Sequence, residues 1–207
     1  MTQRRIGIYG GSFDPIHLGH LLVAETCREQ LRLDEVRFIP AHVSPFKVDQ
    51  YPSEDKQRLE MLQLAVAGHE FLKVDAREIE RGGISYTVDT LRELHQEFPD
   101  AELFLLMGAD SLADFLKWKE PAEICRLAWI IAVDRGGHAD IAWHVLKGLL
   151  EPERFQQTIA KKVEMPLIEL SSTEMRQRAA AGRSLRFRTP RAVEQYIVTN
   201  QLYRPKT

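Results

Sequence analysis

The chain is short of several things at once. Of its 207 residues only two are cysteine, Cys27 and Cys125, far apart in sequence and each inside a helix-like pattern. That excludes a disulfide scaffold and fits a reducing compartment, with both thiols as small core residues. Excess charge is missing too: a formal net charge of −2 at pH 7 argues against a general nucleic-acid binder. No stretch approaches the roughly 18 apolar residues of a membrane span, and "MTQRRIGIYGG" turns polar and glycine-rich too soon for a secretory signal. The expectation is a cytoplasmic protein whose partners are small molecules, with no nucleic acid and no membrane; a homo-oligomer is left open.

What is present is an ordinary globular balance, 44% hydrophobic and 28% charged, in a chain long enough to bury one core. Strand-like and helix-like segments alternate, which predicts an α/β fold: a doubly wound, mainly parallel sheet with helices on both faces. The expected strands are "RRIGIYG", "EVRFIP", "EFLKVD", "AELFLLMGAD", "AWIIAVDR" and "MPLIELSS". The first helix is expected from about Leu18 to Leu31, with Leu18, Leu21, Ala24, Cys27 and Leu31 on one face. Ser53 is a candidate cap for the second and Thr87 for the third, where Val88, Leu91, Leu94 and Phe98 recur until Pro99. "TEMRQRAAAG" reads as a helix closed by Gly182, and Thr189-Pro190 as the cap and first residue of a last one. No repeat or linker interrupts residues 1–207, so one domain is expected, about 1–170 as sheet and helices and about 171–207 as a C-terminal helical extension.

In such a sheet ligands bind beyond the carboxyl ends of the strands, and the unusual residues fall there. In "IYGGSFDPIHLGH", Gly10 and Gly11 remove side chains that would hold an anion off the backbone, and the following helix offers N–H groups and its positive dipole end. His17 and His20, three apart, share a face of its first turn. Imidazoles there can bond phosphate oxygens and oppose charge developing in nucleotidyl transfer; read alone, the pair is equally half of a metal site or two incidental histidines. Neither a dinucleotide fingerprint nor a P-loop is spelled out. "LSSTEMR" places hydroxyls at a helix start and Arg176 one turn on, a phosphate cradle or an ordinary cap.

"GGSFDPIHLGH" resembles the G-x-F-D-P-x-H-x-G-H signature of the nucleotidyltransferase superfamily, which joins a nucleotide or phosphate ester to ATP with loss of pyrophosphate, and "LSSTEMR" resembles its I-S-S-T-x-x-R signature. Together with "ISYTVDTL", "LMGADSLADFLKW" and "PAHVSPFK", the resemblance narrows to bacterial nicotinate-nucleotide adenylyltransferase, from about Ile6 to Leu202. It implies a Rossmann-like nucleotidyltransferase fold and the synthesis of deamido-NAD from ATP and nicotinate mononucleotide, with Mg²⁺ carried by ATP and no protein-held metal. It implies catalytic roles for His17, His20 and Arg176, and ATP binding by Gly10, Gly11, Ser12, Phe13, Ser171, Ser172, Thr173 and Arg135. Substrate binding falls to Lys47, Ser85, Tyr86, Thr87, Asp110 and Trp118, the carboxylate lying near the backbone of Ser85 to Thr87 and the pyridine against Trp118. Taken without the family, Trp118 is a half-exposed packing residue, Asp110 a helix cap and Lys47 a solvated loop lysine.

Two segments depart from the family's pattern. "SPFK" has Phe46 where a histidine is usual, and "VDRGG" replaces the common apolar-Arg-Pro-Gly ending of the fifth strand, which weakens Arg135 as a nucleotide contact. The arginines from Arg176 to Arg191 read as a basic rim rather than an RNA surface. The rival readings are an adenylyltransferase using nicotinamide mononucleotide or phosphopantetheine, a class I aminoacyl-tRNA synthetase, for whose tRNA-reading module the chain is short, and a non-catalytic nucleotide sensor.

Overall fold

The computed structural model describes residues 3–46, 53–135 and 141–204. Its first half runs β1 (Arg5–Gly11), α1 (Leu18–Gln30), β2 (Glu35–Pro40), α2 (Asp55–Val66), β3 (Leu72–Val74), α3 (Arg77–Arg81), α4 (Thr87–Glu97) and β4 (Glu102–Gly108). The second half runs α5 (Ala109–Ala113), α6 (Pro121–Leu127), β5 (Trp129–Arg135), α7 (Pro152–Ala160), β6 (Val163–Met165), α8 (Ser172–Ala180) and α9 (Arg191–Thr199). The strands form one sheet in the order β3-β2-β1-β4-β5-β6, with every pairing parallel. The strand order therefore reverses between β1 and β4, and their carboxyl ends diverge there into a crevice.

The sheet is covered on both sides because its central strands are apolar at successive positions, and the period of two deals them to opposite faces. Leu103, Leu105 and Met107 of β4 join Ile6 and Ile8 of β1 against Val88, Leu91 and Leu94 of α4 and Ile124 of α6. Phe104 and Leu106 face the other way, into a core with Val23 and Ala24 of α1, Met61 and Leu62 of α2, and Val193 and Ile197 of α9. The C-terminal helix is thus part of one covering layer. Gly7 is required by close approach: a Cβ there would come within 2.8 Å of the Leu33 side chain. Both cysteines are buried and unbridged, as expected of core residues; burial pushes the Cys27 thiol up to about 12 and Cys125 up to about 11.

Several local expectations are corrected. Glu54, not Ser53, caps α2, and Tyr86 caps α4, leaving Thr87 as its first residue. Asp110 lies inside α5, which Gly108 caps. Thr189 does not cap α9; its hydroxyl donates instead to the Ile16 carbonyl at 2.8 Å, and Pro190 takes the cap position. The strand expected over "MPLIELSS" is not formed there: β6 lies earlier, at Val163–Met165, and of the expected residues only Met165 belongs to it, paired with Arg135 of β5. Helices α3 and α7 have no counterpart in the sequence expectation.

Candidate active site

The crevice between β1 and β4 opens into a cleft of about 990 Å³, at the upper end of small-molecule sites. Its walls bring together Gly10, Gly11, Ser12, Phe13, His17, His20, Ser85, Tyr86, Thr87, Asp110, Trp118, Ser171, Ser172, Thr173 and Arg176, residues spread over most of the chain. Lys47 lies outside the described residues; Arg135 closes β5, and its side chain is likewise not described.

One wall is the turn from β1 into α1. Phe13 holds a φ of +48°, a left-handed backbone rarely adopted by side-chain-bearing residues, and bends the chain sharply out of the strand. Its ring is buried edge-on to Tyr9, His20 and Phe38. The two glycines differ in purpose. A Cβ on Gly10 would meet nothing within 4 Å, whereas one on Gly11 would come within 3.0 Å of the Phe13 ring. Gly10 keeps its surroundings open; Gly11 makes room for Phe13 rather than for a ligand.

His17 caps α1 in extended conformation, and α1 carries no acid in its first turn to compete for its positive end. The His17 and His20 rings stack, 3.6 Å between centroids and 19° apart, and the His17 N–H donates to His20 Nδ1 at 3.3 Å. An accepting Nδ1 puts the proton of a neutral His20 ring on Nε2. Gly19 permits this stack, since a Cβ there would lie 3.0 Å from His17 Nδ1.

The C-terminal region holds this turn in place. Arg176 donates through Nη1 to the Asp14 carbonyl at 2.8 Å, and the Ser172 hydroxyl donates to the Pro15 carbonyl at 2.9 Å. The Leu18 N–H donates to the Arg188 carbonyl at 2.8 Å, and the Tyr203 hydroxyl to Asp14 Oδ1 at 2.6 Å; burial and the neighbouring Asp14 charge push the Tyr203 pKa upward. Ser171 accepts from the Glu174 N–H at 3.1 Å. The capping role of "SSTE" and its place on the cleft therefore coexist.

The opposite wall joins the β2 end to α3 and α4. The Ser85 N–H donates to the Val43 carbonyl at 2.8 Å, and Ser85 Oγ accepts from the His42 N–H at 2.9 Å. Ser85 also bonds Glu78, whose carboxyl burial pushes above the usual range, against the opposing effect of hydrogen bonds from Thr90 and Ser85. The Ser85 side chain is therefore a tie between loops. Beside it α4 begins at Thr87 with no side chain capping it. Asp89 in that first turn is neutralised by Lys119 at 2.9 Å, and the same ammonium lies 4.6 Å over the Tyr86 ring.

Sequence reasoning missed Arg58. Fully buried, it donates to the Ser12 carbonyl at 2.9 Å and the Ala41 carbonyl at 2.6 Å, and pairs with Asp55, which also bonds His42. One guanidinium thus ties the β1 turn to the β2 loop. The only trace in sequence is an arginine on a helix side otherwise occupied by Met61 and Leu62.

This arrangement, a reversed-order parallel sheet with a histidine pair at the first helix start and an arginine from a distant helix on the same cleft, is that of a nucleotidyltransferase. The cytidylyltransferase-like family model matches residues 8–178. A Rhodopirellula baltica protein named "Probable nicotinate-nucleotide adenylyltransferase" is 42% identical over 203 residues, 98% of this chain and 95% of its own. A Roseiflexus protein of the same name is 44% identical over 206 residues, 99% of this chain and all of its own. A solved structure of Plasmodium falciparum nicotinic acid mononucleotide adenylyltransferase complexed with NaAD superposes with a TM-score of 0.71 at 19% identity, covering 97% of both chains; at that identity it speaks for the fold. The chain belongs to the cytidylyltransferase-like family and, within it, to the nicotinate-nucleotide adenylyltransferases.

Proposed function

We propose that this chain transfers the adenylyl group of ATP to nicotinate mononucleotide, giving deamido-NAD and pyrophosphate, and that the cleft between β1 and β4 carries the reaction. The observation that bears most on the chemistry is the stacked His17-His20 pair at the α1 start, with Arg176 anchored to the same turn. The 5′-phosphate of the acceptor is already an anion at neutral pH, so the protein need not activate a nucleophile. Its oxygen attacks the α-phosphorus in line, the bond to the bridging oxygen breaks, and pyrophosphate leaves with that electron pair. Catalysis is positioning and charge stabilisation: the positive end of the α1 dipole, His17, His20 and Arg176 oppose the growing negative charge, and the α8 start with Ser171, Ser172 and Thr173 receives the phosphate chain.

Mg²⁺ would come with the phosphates of ATP and would neutralise part of their charge. Such an ion keeps water and phosphate oxygens as most of its ligands.

The acid rather than the amide is the expected substrate. The start of α4 attracts a carboxylate, and Lys119 offsets the charge of Asp89 in its first turn. Initial rates of pyrophosphate release with ATP-Mg and either nicotinate or nicotinamide mononucleotide test this directly. A clear preference for the nicotinate form is expected; a preference for the amide overturns the substrate assignment, and release with neither overturns the activity.

A further inference from the structure

We propose that Phe46 is the second wall of the pyridine site, so that the base of the acceptor enters a slot between Phe46 and Trp118; this rests on the pyridine-nucleotide reading above. Phe46 is 55% exposed, an unusual state for a large apolar ring on the wall of a cleft, where a flat apolar ligand would remove it from water. It faces Trp118, with 6.3 Å between ring centroids and a 42° tilt. Trp118 also meets the fully buried Phe115, 5.6 Å away and tilted by 48°, so the indole is anchored to the core while Phe46 stands exposed beside it. Inserting an aromatic ring needs a gap of about 7 Å, two carbon contacts of about 3.5 Å each. Rotation of the exposed Phe46 side chain supplies the remainder.

The backbone leading to Phe46 is fixed to the place where the carboxylate is expected. Ala41 N–H donates to the Gly11 carbonyl at 2.9 Å, Val43 bridges Ile84, and His42 and Val43 bond Ser85. The Phe46 N–H then donates to Ser44 Oγ at 3.3 Å. The loop that carries Phe46 is therefore tied at His42 and Val43 to Ser85, two residues before α4 begins at Thr87, which sets the ring on the same side of the cleft as the expected carboxylate site.

The test is calorimetric titration of nicotinate mononucleotide and, separately, of ATP-Mg into wild type, Phe46→Ala and Phe46→Tyr. An exposed side chain can be truncated without unfolding the protein, and thermal melting verifies this. Phe46→Ala should weaken mononucleotide binding roughly three- to tenfold, the scale of one aromatic contact, while Phe46→Tyr stays within about twofold. ATP affinity should not change. Mononucleotide affinity unchanged in Phe46→Ala overturns the slot and leaves the function standing, as does an equal loss for ATP. No binding of the mononucleotide by wild type overturns the underlying reading and the slot with it.

Discussion

His20 carries the most direct chemical proposal, and its surroundings bear on how it would act. Its Nδ1 is engaged by the His17 N–H, so the neutral ring keeps its proton on Nε2 and can donate from there to a phosphate oxygen. Removing a preorganised donor that acts on developing charge costs about 10²–10³ in kcat. His20→Ala is expected to lose turnover on that scale while nicotinate mononucleotide still binds, with kcat from pyrophosphate release and Kd from calorimetry as the measurements. Near-normal kcat would remove His20 from the reaction. His17 differs: nearly buried at 3% exposure, it caps α1 and stacks on His20. Gly11 shows the limit of reading residues singly, because its missing side chain serves Phe13 rather than a ligand.

At the scale of elements, the site is a set of loop ends tied to one another. Helix α2 contributes Arg58, which holds the Ser12 and Ala41 carbonyls. Arg58→Met leaves both carbonyls without that donor and Asp55 without its arginine. Asp55 is part-exposed and keeps His42, so the loss is mainly that of two carbonyls deprived of a charged donor, about 3 kcal/mol together, expected from urea unfolding. A loss below about 1 kcal/mol, within ordinary surface substitutions and small defects, would show that the turn holds without it. Helix α8, through Ser172 and Arg176, and the segments flanking α9, through Thr189 and Tyr203, act the same way from the C-terminal side on the Asp14-to-Ile16 turn. Cap positions were the weakest local expectation: Thr189 has the chemistry of a helix cap, but its hydroxyl is drawn to the Ile16 carbonyl, a partner distant in sequence.

Across the whole molecule, Glu78 couples the site to stability. Burial raises its pKa above 4.5, despite hydrogen bonds that favour the charged form. A raised acid binds its proton more tightly folded than unfolded. Its favourable contribution is fully present below pH 4.5 and is lost as pH rises through the folded value. Glu78→Gln does not ionise, so its Tm relative to wild type should rise between about pH 4 and pH 7. A difference that is flat or falls with pH in scanning calorimetry would refute this.

The sheet and its central strands were legible in the sequence because they depend on local pattern, apolar runs covered on both faces. The two candidate phosphate motifs stood out by their resemblance to the nucleotidyltransferase signatures, since periodicity alone left the histidine pair and "LSSTEMR" open to plainer readings. The sequence could not say that residues from Gly10 to Arg176 line one cleft, that a buried Arg58 ties two strand ends, or that Ser85 is spent between His42 and Glu78. Nor could it say that Phe46, an apparent departure, stands opposite Trp118. Those are relations between side chains far apart along the chain, and only the packing of helices on both faces of a reversed-order sheet brings them within bonding distance.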